Sequence, residues 1–131
     1  MTPYIALITL LTVVLMIATS MIVGRARGKY GIKAPATAGH PDFERAFRVQ
    51  ANTLESALMF LPALWVAGSY SPRSGALTAV LGAVWLIGRV WYIVGYLNAA
   101  EKRGAGFMVA FFALFGLLLL GAWGVAQALI V

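Results

Sequence analysis

The chain contains no cysteine and a single histidine, His40. The sequence therefore supplies no disulfide, no thiol nucleophile and no thiolate metal ligand. One histidine beside Pro41 builds neither a Ser-His-Asp triad nor a multi-histidine metal site. We therefore expect no bound metal, and we expect any chemistry to depend on a bound small molecule held by Arg, Tyr, Asn and Glu side chains.

Charged residues are also scarce, at 11% of 131 residues, whereas 62% are hydrophobic and the mean hydropathy is +0.89. This composition indicates an integral membrane protein. Stretches of about 20 apolar residues are long enough to cross the hydrocarbon core of a bilayer. The predicted fold class is an all-α, up-and-down bundle of four transmembrane helices, forming a single domain over residues 1–131. Its predicted spans are residues 2–23, 43–68, 76–97 and 106–131.

Acidic residues are outnumbered, with 4 Asp and Glu against 10 Lys and Arg and a net charge of +6. By the positive-inside rule, the loops after the first and third stretches are cytoplasmic, which places both termini on the non-cytoplasmic side. We attribute the net charge to topology and to attraction of anions. The sequence offers no soluble basic surface for nucleic acid. The basic residues of these two loops are Arg25, Arg27, Lys29, Lys33, Lys102 and Arg103.

A ladder of polar residues opens the second apolar stretch, where FERAFRVQANTLE precedes MFLPALWVAG. Arg48, Asn52 and Glu55 stand at i, i+4 and i+7, so they share one face of a helix. An ionisable group at membrane depth costs about 2.5–3.5 kcal/mol and therefore faces a protein interior or a polar cavity. The pattern predicts a buried polar pocket beside this face.

The third stretch carries a second polar face. Arg89, Tyr92 and Tyr96 stand at i, i+3 and i+7, and Arg103 returns to nearly the same face if the helix continues past Leu97. The polar residues lie at the start of the second stretch and at the end of the third. In an up-and-down bundle these two faces meet at one depth, near the cytoplasmic side.

Such a pocket suits a small, zwitterionic, net anionic ligand. Arginine has forked, permanently charged donors for carboxylates, and Glu55 can accept from an ammonium. Asn52, Tyr92 and Tyr96 add neutral hydrogen bonds. A surplus of fixed cations also favours a thiolate over a thiol, because a nearby positive charge lowers the pKa of an acid.

Each polar residue also has a structural interpretation. Arg48 and Glu55 can form a buried ion pair with no other role. The tyrosines can belong to an aromatic belt at the membrane interface, and Lys102 and Arg103 can serve orientation alone. From the residues alone these interpretations stay open.

The segments FERAFRVQANTLE, MFLPALWVAG and GRVWYIVGY, the last followed by the pair KR, resemble the MAPEG family, the membrane-associated proteins in eicosanoid and glutathione metabolism. The likeness is greatest to microsomal glutathione transferases and to the cysteinyl-leukotriene synthase branch, and it covers nearly the whole chain. It implies a homotrimer embedded in membrane lipid, glutathione bound between adjacent subunits near the cytoplasmic face, and a lipophilic electrophile that enters from the bilayer.

The resemblance also implies roles for individual residues. Arg103 corresponds to the arginine that stabilises the glutathione thiolate. Two departures concern Ser56, where the leukotriene branch has an aromatic residue, and Gly28, where it has an arginine. They favour a general detoxifying transferase or peroxidase over specialised leukotriene chemistry. The implied glutathione contacts are Arg27, Arg48, Gln50, Asn52, Glu55, Arg89, Tyr92 and Tyr96.

Two other functions suit a small four-helix membrane protein. A multidrug exporter relies on a membrane-embedded carboxylate, but here Glu55 is accompanied by Arg48 and Arg89, which disfavour cationic cargo. A non-catalytic lipid-binding scaffold can share the same fold, because fold does not determine function. Dye efflux that depends on Glu55 would indicate the exporter, and glutathione binding without turnover would indicate the scaffold.

Overall fold

The computed structural model describes residues 2–71, 73 and 75–131. Within them the chain forms four α-helices, and the predicted helical bundle is confirmed. Two residues of the predicted turn between the second and third stretches, Pro72 and Ser74, lie outside the described residues. The helices are α1 (Pro3–Tyr30), α2 (Pro41–Tyr70), α3 (Gly75–Asn98) and α4 (Gly104–Ile130), and a 3-10 turn (Ala100–Arg103) joins the last two.

The first helix is longer than predicted. It begins after the N-cap Thr2, whose hydroxyl accepts from the Ile5 backbone N–H at 3.4 Å, and ends at Gly31, which adopts the left-handed conformation with φ 67°. We predicted an end at Val23 and a basic loop beyond it. The start of the loop is wrong, because the helix continues to Tyr30 and the first glycine with positive φ is Gly31. The basic residues Arg25, Arg27 and Lys29 therefore lie on α1.

The second helix begins at a histidine cap. The Nδ1 atom of His40 accepts from the Asp42 backbone N–H at 3.1 Å, and Pro41 occupies the first turn, where no intrahelical N–H is needed. Asp42 and Glu44 in the first turn suit the positive end of the helix dipole. The apolar face of α2 is fully buried at Phe43, Phe60 and Leu64, so α2 forms the centre of the bundle core.

Among the described residues, three helical segments are long and hydrophobic enough to cross a membrane. They are α1, α3 and Ala100–Ile130. The outward side chains of these helices are apolar and exposed, for example Leu10, Val14 and Ile87, as expected for contact with lipid. The helix α2 is 30 residues long but falls outside this set, since its first half carries the polar ladder. The polar ladder therefore lies on the helix with the least lipid-like composition.

The helices α3 and α4 approach most closely at two glycines. A methyl group added at Gly88 would lie 2.6 Å from the Ala110 backbone nitrogen, and one added at Gly106 would overlap the Tyr92 backbone nitrogen. Small residues allow this backbone contact in membrane bundles. Because α3 carries Arg89 and Tyr92, the contact determines where these two side chains lie.

We expect the Gly106→Ala substitution to lower the free energy of unfolding by about 1–3 kcal/mol, because the added methyl group forces the two backbones apart. The measurement is thermal unfolding in detergent. The matched control is Gly104→Ala, at the start of the same helix, where an added methyl group meets nothing within 4 Å. Equal melting temperatures for the two variants would contradict the close contact.

Candidate functional site

One end of the bundle collects the charged residues. It consists of the C-terminal ends of α1 and α3, the N-terminal ends of α2 and α4, and the 3-10 turn, and we call it the basic end. Every Lys and Arg of the sequence except Arg73 belongs to these segments or to the loop 31–40, as do all four carboxylates. Any anion-binding site of the chain is therefore expected at this end.

Arg89 joins the two predicted polar faces. It is only 1% exposed, and its Nη2 atom donates to Asn52 Oδ1 at 2.9 Å and to Thr53 Oγ1 at 2.8 Å. Because the Asn52 oxygen accepts from Arg89, the Asn52 amide nitrogen is left to donate to a ligand. Thr53 was not predicted. Its position could have indicated this role. Thr53 stands four residues after Val49 and next to Asn52, so its hydroxyl lies on the buried side of α2.

Aromatic rings extend this site toward the basic end. The guanidinium carbon of Arg89 lies 4.1 Å from the centre of the Tyr92 ring, and the Tyr92 and Tyr96 ring centres are 5.6 Å apart. The guanidinium carbon of Arg103 lies 5.5 Å from the centre of the Tyr96 ring. The four side chains therefore form one continuous stack, from the buried Arg89 to the exposed Arg103.

Arg103 does not share a helical face with Arg89, because α3 does not continue far enough past Leu97. The helix α3 ends at Asn98, Ala99 is extended, and Arg103 closes the 3-10 turn. The chain folds back because Gly95 has no side chain, so the Lys102 carbonyl packs against its Cα. Arg103 nevertheless lies beside Tyr96, and among the described residues its guanidinium has no hydrogen-bond or ion-pair partner.

Arg48 and Glu55 lie at the outer edge of a cleft. Their closest oxygen and nitrogen atoms are 3.9 Å apart, and their side chains are 58% and 59% exposed. The pair is therefore not buried within the single chain. The cleft has a volume of about 250 Å³ and is lined by Asn52, Glu55, Ser56, Met59, Arg89, Phe107, Phe111 and Leu114.

Gln50 and Arg27 lie elsewhere. The Gln50 amide nitrogen donates to Ser20 Oγ on α1 at 2.9 Å, which places Gln50 on the side of α2 opposite the cleft. Arg27 donates from Nη1 to the Ala36 carbonyl at 2.8 Å, and its guanidinium lies over the Phe43 ring. We call these two residues the α1-side pair. Of the other seven predicted residues, Asn52, Glu55 and Arg89 line the cleft. We call all seven the cleft set: Arg48, Asn52, Glu55, Arg89, Tyr92, Tyr96 and Arg103.

An apolar groove continues from the cleft between α2 and α4. Two cavities of about 350 and 530 Å³ follow it, and both share Met59 and Ala63 along one wall. The opposite wall carries the rings of Phe107, Phe111 and Phe115, with successive centres 6.3 and 6.4 Å apart. A ligand in the cleft is therefore in direct reach of an apolar molecule in the groove.

Ser56 forms part of the cleft wall. Its Oγ accepts from Trp85 Nε1 at 3.1 Å, and the Trp85 ring is fully buried and stacked on Phe60 with ring centres 3.8 Å apart. The bond to Trp85 was not predicted, because it depends on how α2 and α3 are rotated against each other.

A helical bundle with an apolar exterior and a polar cleft between its helices has the features of an integral membrane protein. Residues 5–123 match the MAPEG family, so the chain belongs to this family and the resemblance is confirmed.

Three relatives illustrate the match. Human microsomal glutathione S-transferase 2 is 44% identical over 106 residues, which are 81% of this chain and 71% of the relative. Guinea pig (Cavia porcellus) leukotriene C4 synthase is 40% identical over 119 residues, 91% of this chain and 78% of the relative. The uncharacterized protein sll1147 of Synechocystis is 54% identical over 102 residues, 78% and 73% of the two chains.

Proposed function

We propose that the protein is a membrane-bound glutathione transferase. It activates the glutathione thiol as a thiolate and conjugates it to lipophilic electrophiles, and it reduces lipid hydroperoxides as a related activity. The observation that carries this proposal is a polar cleft, lined by Asn52, Glu55 and Arg89, that opens directly into an apolar groove between α2 and α4. Two groups of relatives, named as a glutathione transferase and a leukotriene C4 synthase, support the same reaction class.

The cleft set matches the charges of glutathione, which has two carboxylates and one ammonium. The half-exposed guanidinium of Arg48 and the amide nitrogen of Asn52 donate to a carboxylate, and Arg89 adds a positive charge beneath them. Glu55 accepts from the ammonium. These groups hold the charged ends of the peptide, so its sulfur can be placed toward the groove.

Arg103 is the proposed thiolate-stabilising residue. Its guanidinium is exposed and rests on the Tyr96 ring, and within the described part of the chain it is not used in a hydrogen bond or an ion pair. A free cation near the sulfur lowers the pKa of the thiol and stabilises the charged nucleophile. In a conjugation the thiolate forms a bond to the electrophilic carbon, and the electron pair of the bond that breaks leaves with the departing group.

We also propose that the site is completed by a second protomer in a homotrimer. The cleft set and the α1-side pair lie on opposite sides of α2, so one protomer does not bring them to the same ligand. An exposed ion pair on a membrane helix is costly against lipid. Both facts are explained if the α1 side of one protomer covers the cleft of the next.

The proposed orientation places the basic end in the cytoplasm, with both termini on the other side of the membrane. Glutathione then enters from the aqueous phase at the basic end, and the lipophilic substrate enters from the bilayer along the groove.

The test is glutathione binding to the purified, detergent-solubilised protein, followed by calorimetry and by the ultraviolet absorbance of the thiolate. We expect saturable binding with a thiolate band. The matched control ligand is S-methylglutathione, which has the same charged ends and no ionisable thiol, and it should bind without the band. Failure of glutathione to bind at cellular concentrations would overturn the proposal.

The exporter and scaffold functions gain no specific support from the structure. The Glu55 carboxylate lies 3.9 Å from a guanidinium nitrogen of Arg48, an environment that disfavours a cationic cargo. A scaffold does not require a guanidinium without a hydrogen-bond or ion-pair partner among the described residues, as Arg103 has beside Tyr96.

A further inference from the structure

The Ser56 hydroxyl differs from the hydroxyls of α1 in the direction of its proton. In α1 the hydroxyls donate to backbone carbonyls of the preceding turn at 2.8–3.1 Å, as helix hydroxyls commonly do. Ser56 makes no such bond among the described residues, and its one hydrogen bond is accepted from Trp85. Its O–H group therefore remains available as a donor. The α1 hydroxyls in question are Thr9, Thr12, Thr19 and Ser20.

Trp85 determines how the Ser56 hydroxyl is oriented. An indole N–H can only donate, so the Ser56 oxygen must present a lone pair to it. The Trp85 ring is 0% exposed and lies parallel to Phe60, with an interplanar angle of 3°. Because the donor is held by packing, the Ser56 proton points away from Trp85, and Ser56 itself lines the cleft.

Ser56 marks the boundary between the polar cleft and the apolar groove. Asn52 lies one turn toward the basic end and Met59 one turn toward the groove. Between Ser56 and Ser69 the only polar side-chain atom of α2 is the Trp65 Nε1, which donates to Thr9 Oγ1 at 3.0 Å. Ser56 is thus the last uncommitted donor of α2 that a molecule in the groove meets.

We propose that Ser56 is a further catalytic group, which donates a hydrogen bond to the carbonyl oxygen of lipophilic α,β-unsaturated aldehydes and ketones. This inference rests on the proposed transferase function. The alkyl chain of the substrate lies in the groove, and its polar carbonyl lies at the boundary where Ser56 presents its proton. The structure thereby selects a substrate class, apolar chains that carry a conjugated carbonyl.

The chemistry is a conjugate addition. The glutathione thiolate forms a carbon–sulfur bond at the β-carbon and the carbon–carbon π bond breaks. Its electron pair forms a new double bond between the α-carbon and the carbonyl carbon, and the π electron pair of the carbonyl moves onto the oxygen. The Ser56 O–H stabilises this enolate oxygen without losing its proton. A proton from solvent then adds to the α-carbon and balances the proton that the thiol released. A donor in a site of low dielectric constant stabilises such a charge more than water does.

The test compares two apolar electrophiles at saturating glutathione. The compound trans-2-nonenal carries a conjugated carbonyl, and 1-iodohexane reacts by displacement of iodide and offers no oxygen acceptor. We expect Ser56→Ala to lower kcat/KM for nonenal about 10-fold or more relative to kcat/KM for iodohexane, as for the loss of an oxyanion donor. Ser56→Thr, which keeps the hydroxyl, should restore the ratio. Glutathione binding, measured by calorimetry, should change less than about 3-fold.

A second variant tests the role of the indole. Trp85→Phe keeps a ring on Phe60 and removes the N–H, so the Ser56 hydroxyl is freed to turn to its own helix. We expect the same selective loss for nonenal, smaller than in Ser56→Ala.

An equal loss for both substrates, or no loss for nonenal, would overturn this inference and leave Ser56 a structural residue. So would a wild-type protein that binds glutathione as a thiolate but does not turn over nonenal. Failure of the wild-type protein to bind glutathione would instead overturn the proposed function.

Discussion

Replacing Arg103 with alanine is expected to lower turnover about 100-fold, the usual effect of losing one group that stabilises developing or resident negative charge. The dissociation constant of glutathione should change less than about 3-fold, because the charged ends of the peptide are held by the rest of the cleft set. Arg103 is exposed and its guanidinium is uncommitted within the described residues, so the variant should fold normally. The measurements are initial rates with an electrophile, calorimetry, and the thiolate absorbance.

Lys102→Ala is the matched control for this prediction. Lys102 stands next to Arg103 in the same 3-10 turn and is also exposed, so its removal changes the local net charge equally. We expect Lys102→Ala to keep the thiolate band and the rate. Loss of binding and of turnover to the same extent in Arg103→Ala, or loss of neither, would contradict the role of Arg103.

The second large effect is expected at Arg89. The Arg89→Met substitution keeps an apolar chain of similar length but leaves Asn52 Oδ1 and Thr53 Oγ1 without their donor inside the bundle. We expect a loss of about 3 kcal/mol in the free energy of unfolding, because a buried acceptor without a donor costs about 1–3 kcal/mol. Glutathione affinity should also fall about 100-fold, since a buried cation and the orientation of Asn52 are both lost.

Thermal unfolding in detergent and calorimetry measure the two effects of Arg89→Met. Arg73→Met is the control, because Arg73 is the one basic residue outside the basic end and its loop. It should change neither quantity. If Arg89→Met melts like the wild-type protein, the buried bonds to α2 do not stabilise the site as described.

The polar face of α2 followed directly from the sequence. A spacing of i, i+4 and i+7 places Arg48, Asn52 and Glu55 together in any helix. The burial expected from the cost of charge in lipid is not found within the single chain, where Arg48 and Glu55 are exposed. The meeting of this face with Arg89 followed from the up-and-down order, since the two polar segments lie at the same end. These conclusions depended only on helical period and membrane depth.

Helix ends were less predictable. The hydropathy pattern placed the end of the first span at Val23, but the helix continues up to its C-cap, Gly31. Lys and Arg are good helix formers, so a helix can extend through a basic segment. The end of α3 at Asn98 depends on the contact between Gly95 and the Lys102 carbonyl, which is a tertiary contact. The bond between Ser56 and Trp85 could not be predicted either, because no local sequence pattern gives the rotation of one helix relative to another.

Gln50 illustrates how the two kinds of reasoning differ. Helical period places Gln50 on the side of α2 away from Arg48, and the structure places it there, bonded to Ser20. The family resemblance nevertheless puts both residues around one glutathione. The two statements agree only if Gln50 and Arg27 act on the cleft of a neighbouring protomer.

Subunit mixing tests this two-protomer site most directly. One inactive variant carries Arg48→Ala together with Asn52→Ala in the cleft set, and the other carries Arg27→Ala together with Gln50→Ala in the α1-side pair. When the two are co-expressed in equal amounts, about a quarter of the interfaces in a randomly assembled cyclic trimer join an intact cleft to an intact α1 side. We expect glutathione conjugation to return to about that fraction of the wild-type rate. Mixed assemblies as inactive as either variant alone would contradict the two-protomer site.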